Sequence, residues 1–137
     1  MSYETERQAI EGRFKTAWDS AYASMKVGYD GQKFEFVRDT SSVRLTILDG
    51  EAEQISFGNP GSNLVRHIGV IMIQIAVPGG AGTATIRPIA DAAMTVFRNQ
   101  TFGGVRCRIP YVMSREEEPP FLIWTIACPF ERDELNA

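Results

Sequence analysis

The chain has 137 residues, 44% of them hydrophobic, which suits one domain, 1–137, with a proper core. Seventeen acidic residues against 14 basic give a net charge of −3 with no dense Lys/Arg cluster, which argues against a tight grip on nucleic acid. Cys107, Cys128 and the single histidine, His67, cannot make a four-ligand zinc site without carboxylates from elsewhere, so both cysteines are expected as buried free thiols.

The opening MSYETERQ is polar and charged, unlike a secretory signal. The longest apolar run, Ile68 to Val77, is interrupted by Gln74 and closed by Pro78, too short to span a bilayer. A soluble chain made in the cytosol, with no membrane contact, is the expectation. From Tyr3 to Met25 the residues Ile10, Phe14, Ala17, Trp18, Ala21 and Met25 recur at spacings of three and four, which predicts an amphipathic helix. Ser2 is its candidate N-cap, Glu4 and Glu6 suit the positive end of the dipole, and Gly28 lies just beyond its end. Tyr29-Asp30-Gly31-Gln32 is a turn leading to a short strand, Lys33 to Val37.

In residues 42–57, Val43, Leu45 and Ile47 alternate with Arg44 and Thr46. Asp49-Gly50 is either a hairpin turn or a kink within one long strand. The kink is preferred, because the loop Gly58 to Asn63 already supplies a reversal and lets Val65 to Val77 return alongside as a long ribbon. A second helix shows its buried face in Ile86, Ile89, Ala90, Ala93 and Phe97, with Thr85 as candidate N-cap and Pro88 in the first turn. Two strands follow, Val105 to Met113 and Phe121 to Cys128, joined by the acidic tip Ser-Arg-Glu-Glu-Glu-Pro-Pro. The expected fold is α+β, a mostly antiparallel sheet with two helices packed on one face, in the order α-β-β-β-α-β-β.

The stretch VPGGAGTATIRPIAD, 77–91, has the strand, glycine loop and helix of a phosphate cradle. A Walker A site needs a lysine after its last glycine, and Gly79-Gly80-Ala81-Gly82-Thr83 has none. A Rossmann fingerprint would need a small residue where Thr85 stands and a parallel βαβ unit around it. The glycines are read as a tight connection needing unusual backbone angles, and no cofactor is expected. His67 is the only imidazole and is far in sequence from both cysteines, while Glu116, Glu117 and Glu118 on a hairpin tip are expected to be solvated. No catalytic or metal residues are assigned, and the chain is read as no enzyme.

The strand FLIWTIAC is apolar on both faces: Phe121, Ile123 and Ala127 point one way, Leu122, Trp124, Ile126 and Cys128 the other. Two helices cover one face, so a neighbouring subunit is the economical cover for the second. A sheet curled on itself is the alternative.

Three stretches carry a resemblance: Arg66-His67-x-Gly69 opening an apolar strand, that strand running into Pro78-Gly79-x-x-Gly82, and Ala90-Asp91 followed by Phe97 in the second helix. In these, and in its helical start and strand ending in a Gly-rich turn, the chain resembles the tail-terminator (tail-completion) proteins of long-tailed phages and phage-like particles. It departs in Leu64-Val65 between Asn63 and Arg66 and in a longer acidic tip. The resemblance implies a virion protein, assembled in the host cytoplasm as a homo-oligomer. It would form a six-fold ring on the head-proximal end of the tail tube, stop tube growth, and meet the tail tube protein and the head connector or stopper. Six copies at −3 give a ring of about −18, which helps a DNA conduit avoid sticking to its cargo. Candidate contact residues are Arg66, His67, Glu116, Glu117, Glu118, Leu122 and Trp124, the last two as outward apolar positions. A head-closure or neck protein is the alternative from the same junction. A small ligand-binding or enzymatic domain using Gly79 to Gly82 is the alternative from another class.

Overall fold

A computed structural model describes residues 2–80 and 82–135. The fold is α+β, a mostly antiparallel sheet with two helices, in the expected order α-β-β-β-α-β-β, with a two-residue strand added after the second helix and the strand expected next split in two. The elements are α1 (Tyr3–Ala21), β1 (Lys26–Tyr29), β2 (Ser42–Gln54), β3 (Leu64–Pro78), α2 (Ile86–Phe97), β4 (Thr101–Phe102), β5 (Val105–Cys107), β6 (Tyr111–Glu118) and β7 (Phe121–Leu135). The strand expected over 105–113 is divided into β5 and β6 by Arg108-Ile109-Pro110, where proline removes a ladder donor. Among the described residues no helix is long and apolar enough to cross a membrane.

β7 is the hub of the sheet. One edge pairs with β3 along its whole length, from Phe121 opposite Pro78 to Leu135 opposite Leu64. The other edge takes β6 and then β5. β2 pairs with β3 as one strand, its register shifting between Asp49 and Ala52, so the Asp49-Gly50 feature is a bulge within a long ribbon and not a hairpin.

Two local expectations are corrected. Residues 33–37 form no strand; the short strand lies earlier, at Lys26–Tyr29, and runs parallel to β2. The segment after it crosses the sheet instead. Phe34 packs on Gly28, where a Cβ would come within 2.4 Å of the ring, and Phe36 lies 5.9 Å from Phe121. The first helix stops at Ala21, short of Met25, with Tyr22 leaving helical geometry while its ring packs on Trp18.

Both helices cover one face of the sheet. Ile10, Phe14 and Trp18 of α1 and Ile86, Ile89, Ala93 and Phe97 of α2 meet Val43, Leu45, Ile71, Ile73, Ile75, Trp124, Ile126 and Cys128 in one core. The Phe14 ring stacks on Phe97, and Arg13 Nε donates to the Val96 carbonyl at 2.8 Å, tying helix to helix. Ser2 caps α1 with Thr5 in a reciprocal box. Thr85 does not cap α2 with its side chain, because its own backbone is already helical.

Glu6 is not a solvated dipole partner. It is 1% exposed, and its Oε1 accepts from Nε of the fully buried Arg132 at 2.6 Å. Arg132 Nη1 donates to Glu134 at 3.1 Å, and its guanidinium lies 4.9 Å from the Tyr3 ring. Burial, reinforced by a hydrogen bond with Asp49, pushes the Glu6 carboxyl up to about 7. The first turn of α1 is thus anchored to β2 and β7 by buried hydrogen bonds, and the rest of the helix by apolar packing.

Candidate interaction surface

Strand parity decides which side chains share a face. In β7 the even positions, Leu122, Trp124, Ile126, Cys128 and Phe130, belong to or pack on the helix-covered core. The odd positions face away from the helices. Trp124 is 3% exposed and lies between the guanidinium groups of Arg87 and Arg115, at 5.2 and 4.8 Å. Leu122 is half-buried against the same core. Neither points outward, which corrects the expectation for both: the helices choose the even face, and the face left over is the odd one.

That second face joins Leu48 of β2, Ile68, Val70 and Met72 of β3, Ala127 and Pro129 of β7 and Tyr111 of β6, by the register of the ladders. Phe34 and Phe36 cover its end near Gly28 and Phe121. Beyond that cover Leu48, Ile68, Tyr111 and Leu135 stand between 48% and 65% exposed. Leu48, Ile68 and Tyr111 lie on one side of the Arg66–Asp133 pair and Leu135 on the other, so the exposed apolar surface is in two parts.

A belt of paired charge crosses this face. Arg66 makes a two-pronged contact with Asp133, Nε to Oδ1 at 3.0 Å and Nη2 to Oδ2 at 3.3 Å. Arg106 reaches Asp133 at 3.1 Å and Glu131 at 3.3 Å, and Arg66 approaches Glu131 at 3.6 Å. Hydrogen bonding from Arg66 holds the Asp133 carboxyl below the usual carboxylate range. Each such half-exposed pair stabilises the monomer by at most about 1 kcal/mol. Charges already paired cost less to cover than free ones.

The other expected contact residues are dispersed. His67 follows Arg66 in sequence but faces the helices, so the two side chains lie on opposite sides of the sheet. The His67 ring meets Tyr3 edge-on at 5.6 Å, and its Nε2 stands 2.8 Å from Glu134 Oε2 without the alignment of a hydrogen bond. Glu116, Glu117 and Glu118 are exposed at the β6–β7 tip, far along β7 from the belt. Glu117 instead borders a cavity of about 710 Å³ shared with Arg38, Gly79, Gly80, Gly82 and Pro120. Gly80 and Gly82 there hold φ of +91° and +75°, which accounts for the glycines as backbone necessity. Gly79 N–H is satisfied by the Pro120 carbonyl at 2.9 Å.

Cys107 and Cys128 are both free and buried. A hydrogen bond with Cys128, together with burial, pushes the Cys107 thiol well above the usual cysteine range. Among the described residues no group of three or more His, Cys, Asp or Glu is placed to hold a metal ion. The apolar second face was half legible in sequence, because both parities of 68–77 and 121–128 are apolar. The Glu6–Arg132 pair was not, since its members are 126 residues apart.

No family model matches the chain, and no curated protein matches it. Among solved structures, one similar chain, whose name carries no functional description, aligns over 96% of this chain and 96% of its own. The TM-score is 0.73 at 16% identity, a likeness that shows a shared fold alone.

Proposed function

We propose that the protein is a structural component of a phage or phage-like tail, a tail terminator that assembles as a ring on the head-proximal end of the tail tube. The ring ends tube elongation and presents the surface that joins the head connector, while DNA passes through without sequence-specific binding. The observation that carries this is the second sheet face, apolar, exposed and crossed by charges that are already paired. Such a surface serves a protein whose work is to be covered by neighbours. On this proposal the chain performs no catalysis and needs no cofactor.

The test is complementation combined with electron microscopy of the particles. Loss of the protein is expected to leave tails that are overlong or unable to join heads, and the purified protein should cap isolated tubes. Normal-length tails that join heads without it would falsify the proposal. Normal-length tails that fail only in joining would move the protein to the neck, as a head-closure component.

A further inference from the structure

Within residues 2–8 Glu6 is the one buried side chain, and the buried apolar anchors of α1 begin only at Ile10. The start of the helix is therefore held to the sheet through one carboxyl, with the half-exposed Tyr3 ring beside it against Arg132 and His67. Three strands supply the groups around that carboxyl. From β7, Arg132 Nε donates to Glu6 at 2.6 Å and Arg132 Nη1 donates to Glu134 at 3.1 Å. From β3, His67 Nε2 stands 2.8 Å from Glu134, and from the bulge of β2 Asp49 shares a hydrogen bond with Glu6. On α1 itself, Glu4 and Arg7 pair with each other in water.

Three carboxyl groups thus gather near one buried guanidinium. Two carboxyls in hydrogen-bond contact repel strongly when both are ionised, so Glu6 and Asp49 hold one proton between them. Burial places that proton on Glu6, which is 1% exposed, rather than on the exposed Asp49, in keeping with a Glu6 carboxyl raised to about 7. When the proton leaves, two anions face each other and one of them is out of water. The strands cannot yield, because β2, β3 and β7 are laddered together there. The first turn can, since no buried apolar side chain holds it.

We infer that the first turn of α1 is a pH-operated latch, seated on Asp49 and Arg132 while Glu6 is protonated and swung into water once Glu6 is ionised. The hinge lies at Arg7 to Ala9, because Ile10, Phe14 and Trp18 stay in the core. Opening uncovers Arg132, Glu134 and His67 and leaves the sheet intact.

Amide hydrogen exchange, corrected for the intrinsic effect of pH on the chemistry, tests it. The reporters are the amides of Glu6 to Ala9, which close the first helical turns; Glu6 N–H donates to the Ser2 carbonyl at 2.9 Å. Glu6 titrates at about 7 when seated and at the ordinary 4.5 when free, so seating is fully favoured below 4.5 and is lost as pH rises through about 7. These amides should lose protection roughly tenfold between about pH 6 and about pH 8, while those of β3 and β7 hold theirs. Glu6→Gln, neutral throughout, should keep the turn seated and remove the change. Asp49→Asn should shrink it, since the Asn NH2 can donate to an ionised Glu6. Protection that does not change with pH, or that falls evenly across the sheet, overturns the latch. Equal loss of protection at both pH values in Glu6→Gln also overturns it, by making Glu6 a packing residue alone.

Discussion

Replacing Glu6 by glutamine should flatten the pH dependence of stability and make the protein more stable in mild alkali. The Glu6 carboxyl is buried between Arg132, which favours its charged form, and Asp49, which together with burial opposes it. Its proton is therefore held from the ordinary value of 4.5 up to about 7 in the folded state. A raised folded pKa means that the folded chain binds the proton more tightly than the unfolded one. The resulting stabilisation is fully present below 4.5 and is lost as pH rises through about 7. At about 1.4 kcal/mol per unit, the window spans about 3 kcal/mol. The side-chain amide introduced by Glu6→Gln resembles the protonated acid: its carbonyl can still accept from Arg132 and its NH2 can donate to Asp49. Urea unfolding followed by circular dichroism at about pH 5 and about pH 8 reads the difference, since other titrating groups are common to both proteins. The variant should lie within about 1 kcal/mol of wild type at the lower pH and exceed it at the higher. Parallel stability curves for the two proteins would refute the reasoning.

Trp124→Ala should cost about 3–5 kcal/mol of stability in a urea titration, because the ring fills the helix-covered core; a loss of association with stability unchanged would return Trp124 to the surface. Gly69→Ala should destabilise by about 1–3 kcal/mol, since the new methyl would stand 2.6 Å from the Phe130 ring and 2.8 Å from the Leu48 carbonyl, and a neutral effect on thermal unfolding would contradict that packing. Thiol titration should find Cys107 and Cys128 unreactive in the native protein and both reactive after denaturation; fast native labelling of either would contradict their burial.

The long ribbon, α2 and the element order were legible in the sequence because period-two and period-three-to-four patterns are strong there. The choice of face was not. Both parities of Phe121 to Cys128 are apolar, so pattern shows that two layers are needed without showing which one the helices supply. The segment at Lys33 to Val37 reads as a strand by its alternating aromatics, but Phe34 and Phe36 are used to cap one end of the second face. The β7 extension past Cys128 was hidden by its charges. Glu131, Arg132, Asp133 and Glu134 look like a solvated tail until Arg66, Arg106 and Glu6 are brought beside them, and those partners are remote in sequence.

The place of β7 in the chain gives the protein an order of events. This strand follows every other element, yet it lies in the middle of the sheet and holds β3 on one edge and β5 and β6 on the other. Until it inserts, the ribbon and the two small strands are separate fragments, and neither Pro129 on the second face nor the belt residues Glu131 and Asp133 are in position. Closing such distant pairings is the slow part of folding. On the assembly role proposed above, a half-made chain lacks the surface that neighbours would cover, and a copy becomes competent to join others only when its own sheet is complete.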